Sequence, residues 1–156
     1  WHFIGPLQSN KTRQVAEHFD WVHSVDRLKL AQRLSEQRPA GLPPLQVCLQ
    51  VNISGEATKG GVEPDEVVTL AEAVASLPNL RLRGLMTVPA PSDDPAEQRR
   101  PFAALRTMLD TLRTRGMAVD TLSMGMSADL ESAIAEGATI VRIGTAIFGA
   151  RPRATH

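Results

Sequence analysis

The chain has 156 residues, of which 42% are hydrophobic, 22% charged and 4% aromatic; this suffices for one domain with a real core and excludes the disordered and collagen-like classes. Seventeen basic and seventeen acidic residues leave it formally neutral, so nothing suggests the basic footprint of a nucleic-acid or anionic-membrane binder, and any anion it takes is held locally. No run of about 18 apolar residues exists, as a transmembrane helix would need, and a single cysteine, Cys48, excludes an intrachain disulfide and fits a cytoplasmic setting.

Strand-like and helix-like segments alternate from the first residue. Trp1 to Gly5, which begins without an initiator Met, reads as a strand entered part-way, so the chain is expected to be part of a longer protein. Pro6 to Lys11 leads into a helix ending near Phe19. Trp21 to Val25 reads as a short strand, and Asp26 as the N-cap of a helix from Arg27 to Gln37 with Leu28, Leu30, Ala31 and Leu34 on its apolar stripe. Pro39 to Pro44 makes a loop, and Leu45 to Asn52 is the clearest strand, with Cys48 as a buried strand side chain rather than a nucleophile.

The polar loop Ile53 to Gly61 carries the turn signal Gly60-Gly61. Glu63 to Glu66 opens a helix in which Val67, Leu70, Ala71 and Val74 recur at helical spacing before Pro78 stops it. Leu80 to Val88 is a strand, Pro89 to Pro95 a rigid loop, and Ala96 to Arg115 a long helix ended by Gly116. Val119 to Ser123, a helix from Ser127 to Glu136, Thr139 to Ile143 and a short helix from Thr145 complete the chain.

Six strand–helix units with short connections imply parallel strands joined by right-handed crossovers in a single domain, residues 1–156. A full eight-unit barrel takes roughly 250 residues, so this length fits a (β/α)8 TIM barrel lacking about its first two units. A doubly wound sheet is the alternative. If the barrel is right, Trp1–Gly5 and Thr139–Ile143 are unpaired sheet edges, and the chain taken alone is expected to self-associate.

The last third favours the barrel. Thr121-Leu-Ser-Met-Gly-Met-Ser127 and Val141-Arg-Ile-Gly-Thr-Ala-Ile-Phe-Gly149 are successive strand ends that run into small residues and then a helix start. Backbone approaches an anion easily at Gly125 and Gly144, and the amides beginning near Ser127 and Thr145 are free donors. Barrels hold phosphate on the loops after their last strands in this manner. Each feature also has a plainer reading: Ser127 as an N-cap, Gly125 and Gly144 as turn or packing residues. Capping and phosphate binding use the same amides and are compatible.

The residues also carry a resemblance. Trp1-His-Phe-Ile-Gly-Pro-Leu-Gln-Ser-Asn-Lys11, Asn52 with Lys59-Gly60-Gly61, Arg83-Gly-Leu-Met86, Leu122-Ser-Met-Gly-Met-Ser127 with Asp129, and Val141 to Arg151 are similar to the pyridoxal phosphate homeostasis protein family, also called YggS/PROSC, over essentially the whole chain. The resemblance implies a barrel of the alanine racemase N-terminal type that binds pyridoxal 5′-phosphate (PLP) as a Schiff base at the end of its first strand. It implies that Ser127, Gly144 and Thr145 hold the phosphate and that Arg142 faces the pyridine nitrogen. A permanently charged guanidinium there leaves that nitrogen unprotonated and weakens the ring as an electron sink.

The resemblance places the anchoring lysine before Trp1, and Lys11, Lys29 and Lys59 do not match it. Among other candidates, Met86, Met124 and Met126 either line a ring pocket or fill the core. Asn52 ends a strand on the face where a barrel's site lies. His2 is either a packed strand histidine or a site residue, and His2, His18, His23 and His156 show no metal-ligand spacing. Arg81, Arg83, Arg99, Arg100, Arg113 and Arg115 read as solvated faces.

The expected function is therefore PLP binding in intracellular PLP homeostasis, with apo-enzymes as recipients, a monomeric complete protein, no metal and no reaction of its own. Two alternatives remain: a racemase-like PLP enzyme, against which the absence of tyrosine speaks, and a barrel enzyme acting on a small phosphorylated substrate.

Overall fold

The computed structural model describes residues 1–55 and 60–152. Six strands alternate with six α-helices: β1 (His2–Phe3), α1 (Thr12–His18), β2 (Trp21–Val25), α2 (Leu28–Gln37), β3 (Leu45–Gln50), α3 (Val67–Ala75), β4 (Leu80–Met86), α4 (Pro95–Thr114), β5 (Thr121–Met126), α5 (Leu130–Ala135), β6 (Ile140–Arg142) and α6 (Thr145–Phe148). All adjacent strands are parallel, and their spatial order is their chain order, β1 to β6.

That order decides between the two architectures. A doubly wound sheet reverses direction at a switch point and places helices on both faces. Here no strand is skipped, and α1 packs on α2, α2 on α3, α3 on α4 and α4 on α5. Helices in an unbroken row on one side of a sequentially ordered parallel sheet form the arc of a (β/α) barrel. Within this arc β1 and β6 are the edges, each hydrogen-bonded to a single neighbour.

The core lies between the sheet's outer face and the helices. Val22, Leu45, Val47 and Leu49 face Leu30, Ala31 and Leu34 of α2 and Val67, Ala71 and Val74 of α3, while Phe102, Leu105, Leu109 and Leu112 form the stripe of α4. Each of the Val, Leu and Phe side chains contributes about 1.5–3 kcal/mol through burial. Where β4 meets β5, glycine is obligatory: a Cβ at Gly84 would overlap the Thr121 carbonyl.

Arg38 serves the fold from beneath. It is 6% exposed, and its guanidinium donates to the carbonyls of Ala16 (2.7 Å), Phe19 (2.6 Å) and Pro43 (3.0 Å), which satisfies the end of α1 and the loop before β3. Among the arginines expected on solvated faces, Arg83 departs most. It pairs with Asp120 at 3.0 Å, donates to Gln46 and lies 4.8 Å over the Trp21 ring. Those hydrogen bonds hold the Asp120 carboxyl below the usual carboxylate range.

Several predicted boundaries move. β1 is two residues rather than five. Asp26 does not cap α2, whose N-cap is Arg27 with no side-chain hydrogen bond; the Asp26 carboxylate instead accepts from the Gly61 amide at 3.2 Å, which ties down the loop after β3. β5 runs on through Met126, and α5 begins at Leu130 rather than Ser127. Lys59 and His156 lie outside the described residues.

Candidate functional site

The carboxyl ends of the strands converge on a cleft of about 320 Å³. Its walls include Ile4 and Pro6 after β1, Gln50 from β3, Met86 from β4, Met126 from β5 and Arg142 from β6. Strand alternation turns side chains of these strands toward the barrel interior, and on β5 an irregularity between Ser123 and Met126 brings Met126 to the cleft while Met124 stays in the core. Of the three methionines, Met124 is core, Met86 is buried while bordering the cleft, and Met126 is 46% exposed at its mouth.

Ser127, next to the cleft-lining Met126, meets the start of α6, which Gly144 and Thr145 open. Ser127 does not cap the helix that follows it. Its Oγ accepts from the amide of Ala146, in the first turn of α6, at 3.0 Å. The turn behind Ser127 is closed by Asp129, whose Oδ1 accepts from the Met126 amide at 2.7 Å. The Ser127 hydroxyl hydrogen stays available, beside the backbone of Gly144 and Thr145.

The two candidate glycines have different reasons to be glycine. Gly125 has φ +104, and a Cβ on it would come within 2.6 Å of Ala133 Cβ, so α5 packs against it and the position is structural. Gly144 has no atom within 4 Å of where a Cβ would stand. Its small size leaves open space rather than relieving a clash.

Arg142 is the cation of the cleft. Nη2 donates to the Thr87 carbonyl at 2.8 Å and Nη1 to Ser123 Oγ at 3.3 Å. It forms no ion pair among the described residues, and burial draws its pKa below the ordinary guanidinium value. With five N–H donors and two engaged, it retains donors for an acceptor entering the cleft.

Asn52 and His2 stand apart. Asn52 is buried in the loop after β3, where its amide donates to Val62 at 2.9 Å and backbone crowding at Gly61 keeps the loop tight. His2 stacks on Trp21, with centroids 5.0 Å apart, and reaches the interior only through His23, Nδ1 to Nε2 at 2.9 Å. His23 in turn lies 2.7 Å from Ser123 Oγ. Burial, and then the neighbouring His2 and Arg142, push the His23 pKa down to about 4, while burial raises the Cys48 thiol to about 12, which removes it as a nucleophile at neutral pH.

Sequence reasoning missed His23 and Thr87 and gave Ser123 little weight. The period-2 alternation of β2 and β5 was the signal that places His23 and Ser123 inside. No group of three or more His, Cys, Asp or Glu among the described residues forms a metal cluster, and no helix among them is long and apolar enough to cross a membrane.

The alanine racemase N-terminal domain model matches residues 1–152. The chain belongs to the alanine racemase N-terminal domain family. Within the family it is 70% identical over 151 residues to the pyridoxal phosphate homeostasis protein of Pseudomonas aeruginosa and 59% identical to that of Escherichia coli K12, with 97% of this chain covered in both cases. It spans 64% of the length of these relatives. Among solved structures, PipY of Synechococcus elongatus with PLP bound superposes at a TM-score of 0.86 and 38% identity, covering 96% of this chain and 70% of that one. Alanine racemase of Clostridium difficile, at 20% identity and a TM-score of 0.77 over 96% of this chain and 39% of its own, shares the family's barrel fold.

Proposed function

We propose that this chain forms part of a protein that binds pyridoxal 5′-phosphate and serves its intracellular homeostasis, holding the cofactor and releasing it to apo-enzymes that need it. The observation that carries this is a desolvated Arg142, without an ion pair among the described residues, in a cleft whose lining includes Met126, the residue before the Ser127 that holds the first turn of α6. The homeostasis relatives and the PLP-bound PipY support the choice of ligand.

The residues fit that ligand. A phosphate at the rim meets the Ser127 hydroxyl, the open space ahead of Gly144 and the amide of Thr145, with Gly125 shaping the turn beneath. Met86 and Met126 supply polarizable apolar walls for a ring. Arg142 offers only donors, so a pyridine nitrogen facing it acts as an acceptor and stays unprotonated. When bound, PLP supplies an aldehyde that captures amines and a ring that withdraws electrons. The Arg142 arrangement limits that withdrawal and so favours keeping the cofactor over driving a reaction with it.

No described lysine is placed to anchor the aldehyde. Lys11 borders a groove between Phe3 and α1 and does not line the cleft, and Lys29 is exposed on α2. We place the anchor, by the family resemblance, on a lysine upstream of Trp1. We further assign the complete protein a monomeric, cytoplasmic state.

The test is to add PLP to the full-length protein and to this chain, reduce both with borohydride, and weigh the proteins and their peptides. Modification of one lysine upstream of Trp1 in the full-length protein alone is the expected result. No specific modification of a folded full-length protein would overturn the assignment.

A further inference from the structure

His23 and Ser123, buried and not needed by the cofactor reading itself, lead to the cleft's cation. A guanidinium only donates, so Arg142 Nη1 gives its hydrogen to Ser123 Oγ. Ser123 is fully buried and has one hydrogen of its own to give, with His23 Nδ1 at 2.7 Å as the partner that takes it. Nδ1 then accepts, the ring proton sits on Nε2, and Nε2–H points at His2 Nδ1, 2.9 Å away. Every donor from Arg142 to His23 thereby finds an acceptor. In the opposite tautomer Ser123 Oγ would accept from both Nδ1–H and Arg142, which its two lone pairs allow, but its own hydroxyl hydrogen would be left with no acceptor among the hydrogen bonds of the described residues.

We infer that His23 is a positioning residue: in its Nε2–H form it fixes the Ser123 hydroxyl so that Ser123 accepts from Arg142, and the series Arg142, Ser123, His23, His2 orients the guanidinium in the cleft. Thr87 supplies the second fixed point through its carbonyl, and its own side chain is held by a hydrogen bond to the Val51 carbonyl at 2.9 Å. Two anchors, Ser123 on β5 and Thr87 just after β4, define the plane of a guanidinium where one would leave it free to turn. The charged and titratable groups acting on His23 are His2 from β1 and Arg142 from β6. A protonated His23 would present N–H to Ser123, turn the hydroxyl and add a second positive charge beside Arg142.

The effect on ligand binding rests on the proposed PLP reading, whereas the hydrogen-bond direction does not. The test therefore has two readouts on the full-length protein, with and without PLP. Ring-nitrogen NMR of His23 is expected to show unprotonated Nδ1 and protonated Nε2 between about pH 6 and 8, and Arg142 side-chain hydrogens to exchange slowly. Ser123→Ala and His23→Leu should each speed that exchange and weaken PLP binding roughly tenfold, as loss of one charge-assisted hydrogen bond implies, and Ser123→Thr should restore both. Should His23→Leu fail to fold, Ser123→Ala and Ser123→Thr carry the comparison. A protonated Nδ1 at neutral pH, or Arg142 exchange unchanged in Ser123→Ala, overturns the inference. If the unmodified protein takes up no PLP, the ligand reading alone fails, and the tautomer and exchange data still decide the role of His23.

Discussion

Ser127 reaches across to Ala146, its Oγ accepting the Ala146 amide at 3.0 Å, and so joins the end of β5 to the first turn of α6. The same oxygen holds the rim closed and leaves a hydrogen for an anion. Ser127→Ala in the full-length protein is expected to weaken PLP binding about tenfold while costing less than about 1 kcal/mol of stability, since the residue is on the surface. Equilibrium dialysis beside thermal unfolding separates the two effects; an unchanged affinity removes Ser127 from the site.

Gly84 and Gly144 should respond oppositely to alanine. At Gly84 the new Cβ would overlap the Thr121 carbonyl, so β4 and β5 must separate, and a loss of more than about 3 kcal/mol, seen as insoluble or unfolded protein, is expected. Gly144→Ala meets no atom within 4 Å and needs no unusual backbone. Its stability should stay within about 0.5 kcal/mol of the parent while a methyl group at the rim lowers PLP affinity. Chemical denaturation of both variants checks the contrast.

Removing the Arg38 side chain orphans three carbonyls, those of Ala16, Phe19 and Pro43. Arg38→Ala is expected to destabilise by about 2–4 kcal/mol, because buried acceptors lose charged donors and the loop before β3 loses its tie. Arg38→Lys should recover little, since one ammonium does not reproduce the guanidinium's fan of donors. Urea midpoints of the three forms measure this.

The pH dependence of stability has a sign fixed by His23. Its folded pKa, about 4, lies below the unfolded value of 6.5, so between the two the unfolded chain binds more protons. The stabilisation from keeping the ring neutral is complete above pH 6.5 and is lost as pH falls toward 4, at no more than about 1.4 kcal/mol per pH unit for one proton. His23→Gln should flatten this part of the profile. A slope in the variant equal to the parent's would show that other groups cause it.

The parallel sheet was legible because the apolar pattern changes period at each unit and the connections are short; the choice of a barrel over a doubly wound sheet rested on the strand ends of the last third, and the sequential strand order agrees with it. Ser127, Gly144 and Thr145 were singled out because small residues at strand ends announce exposed backbone, whereas Arg142 came from the family resemblance alone. Ser127 capping α6 rather than α5 was not, since the choice depends on where β6 delivers the chain. The His23–Ser123 contact joins residues 100 positions apart; alternation turns each of them inward, but nothing local says that the two meet. Gly125 carried a signal that sequence could not resolve: packing against Ala133 and closeness to an anion both ask for glycine.

Every strand from β2 to β6 lies beside the one synthesised just before it. During translation each new strand therefore finds its partner already made and waiting, separated by one helix rather than by the length of the domain, so loop closure stays inexpensive at every step. Contacts that skip this order include His23 to Ser123 and Arg142, near its end, to the Thr87 carbonyl. The cleft gains its cation only once β6 is in place, which couples competence for an anionic ligand to the last strand of the series.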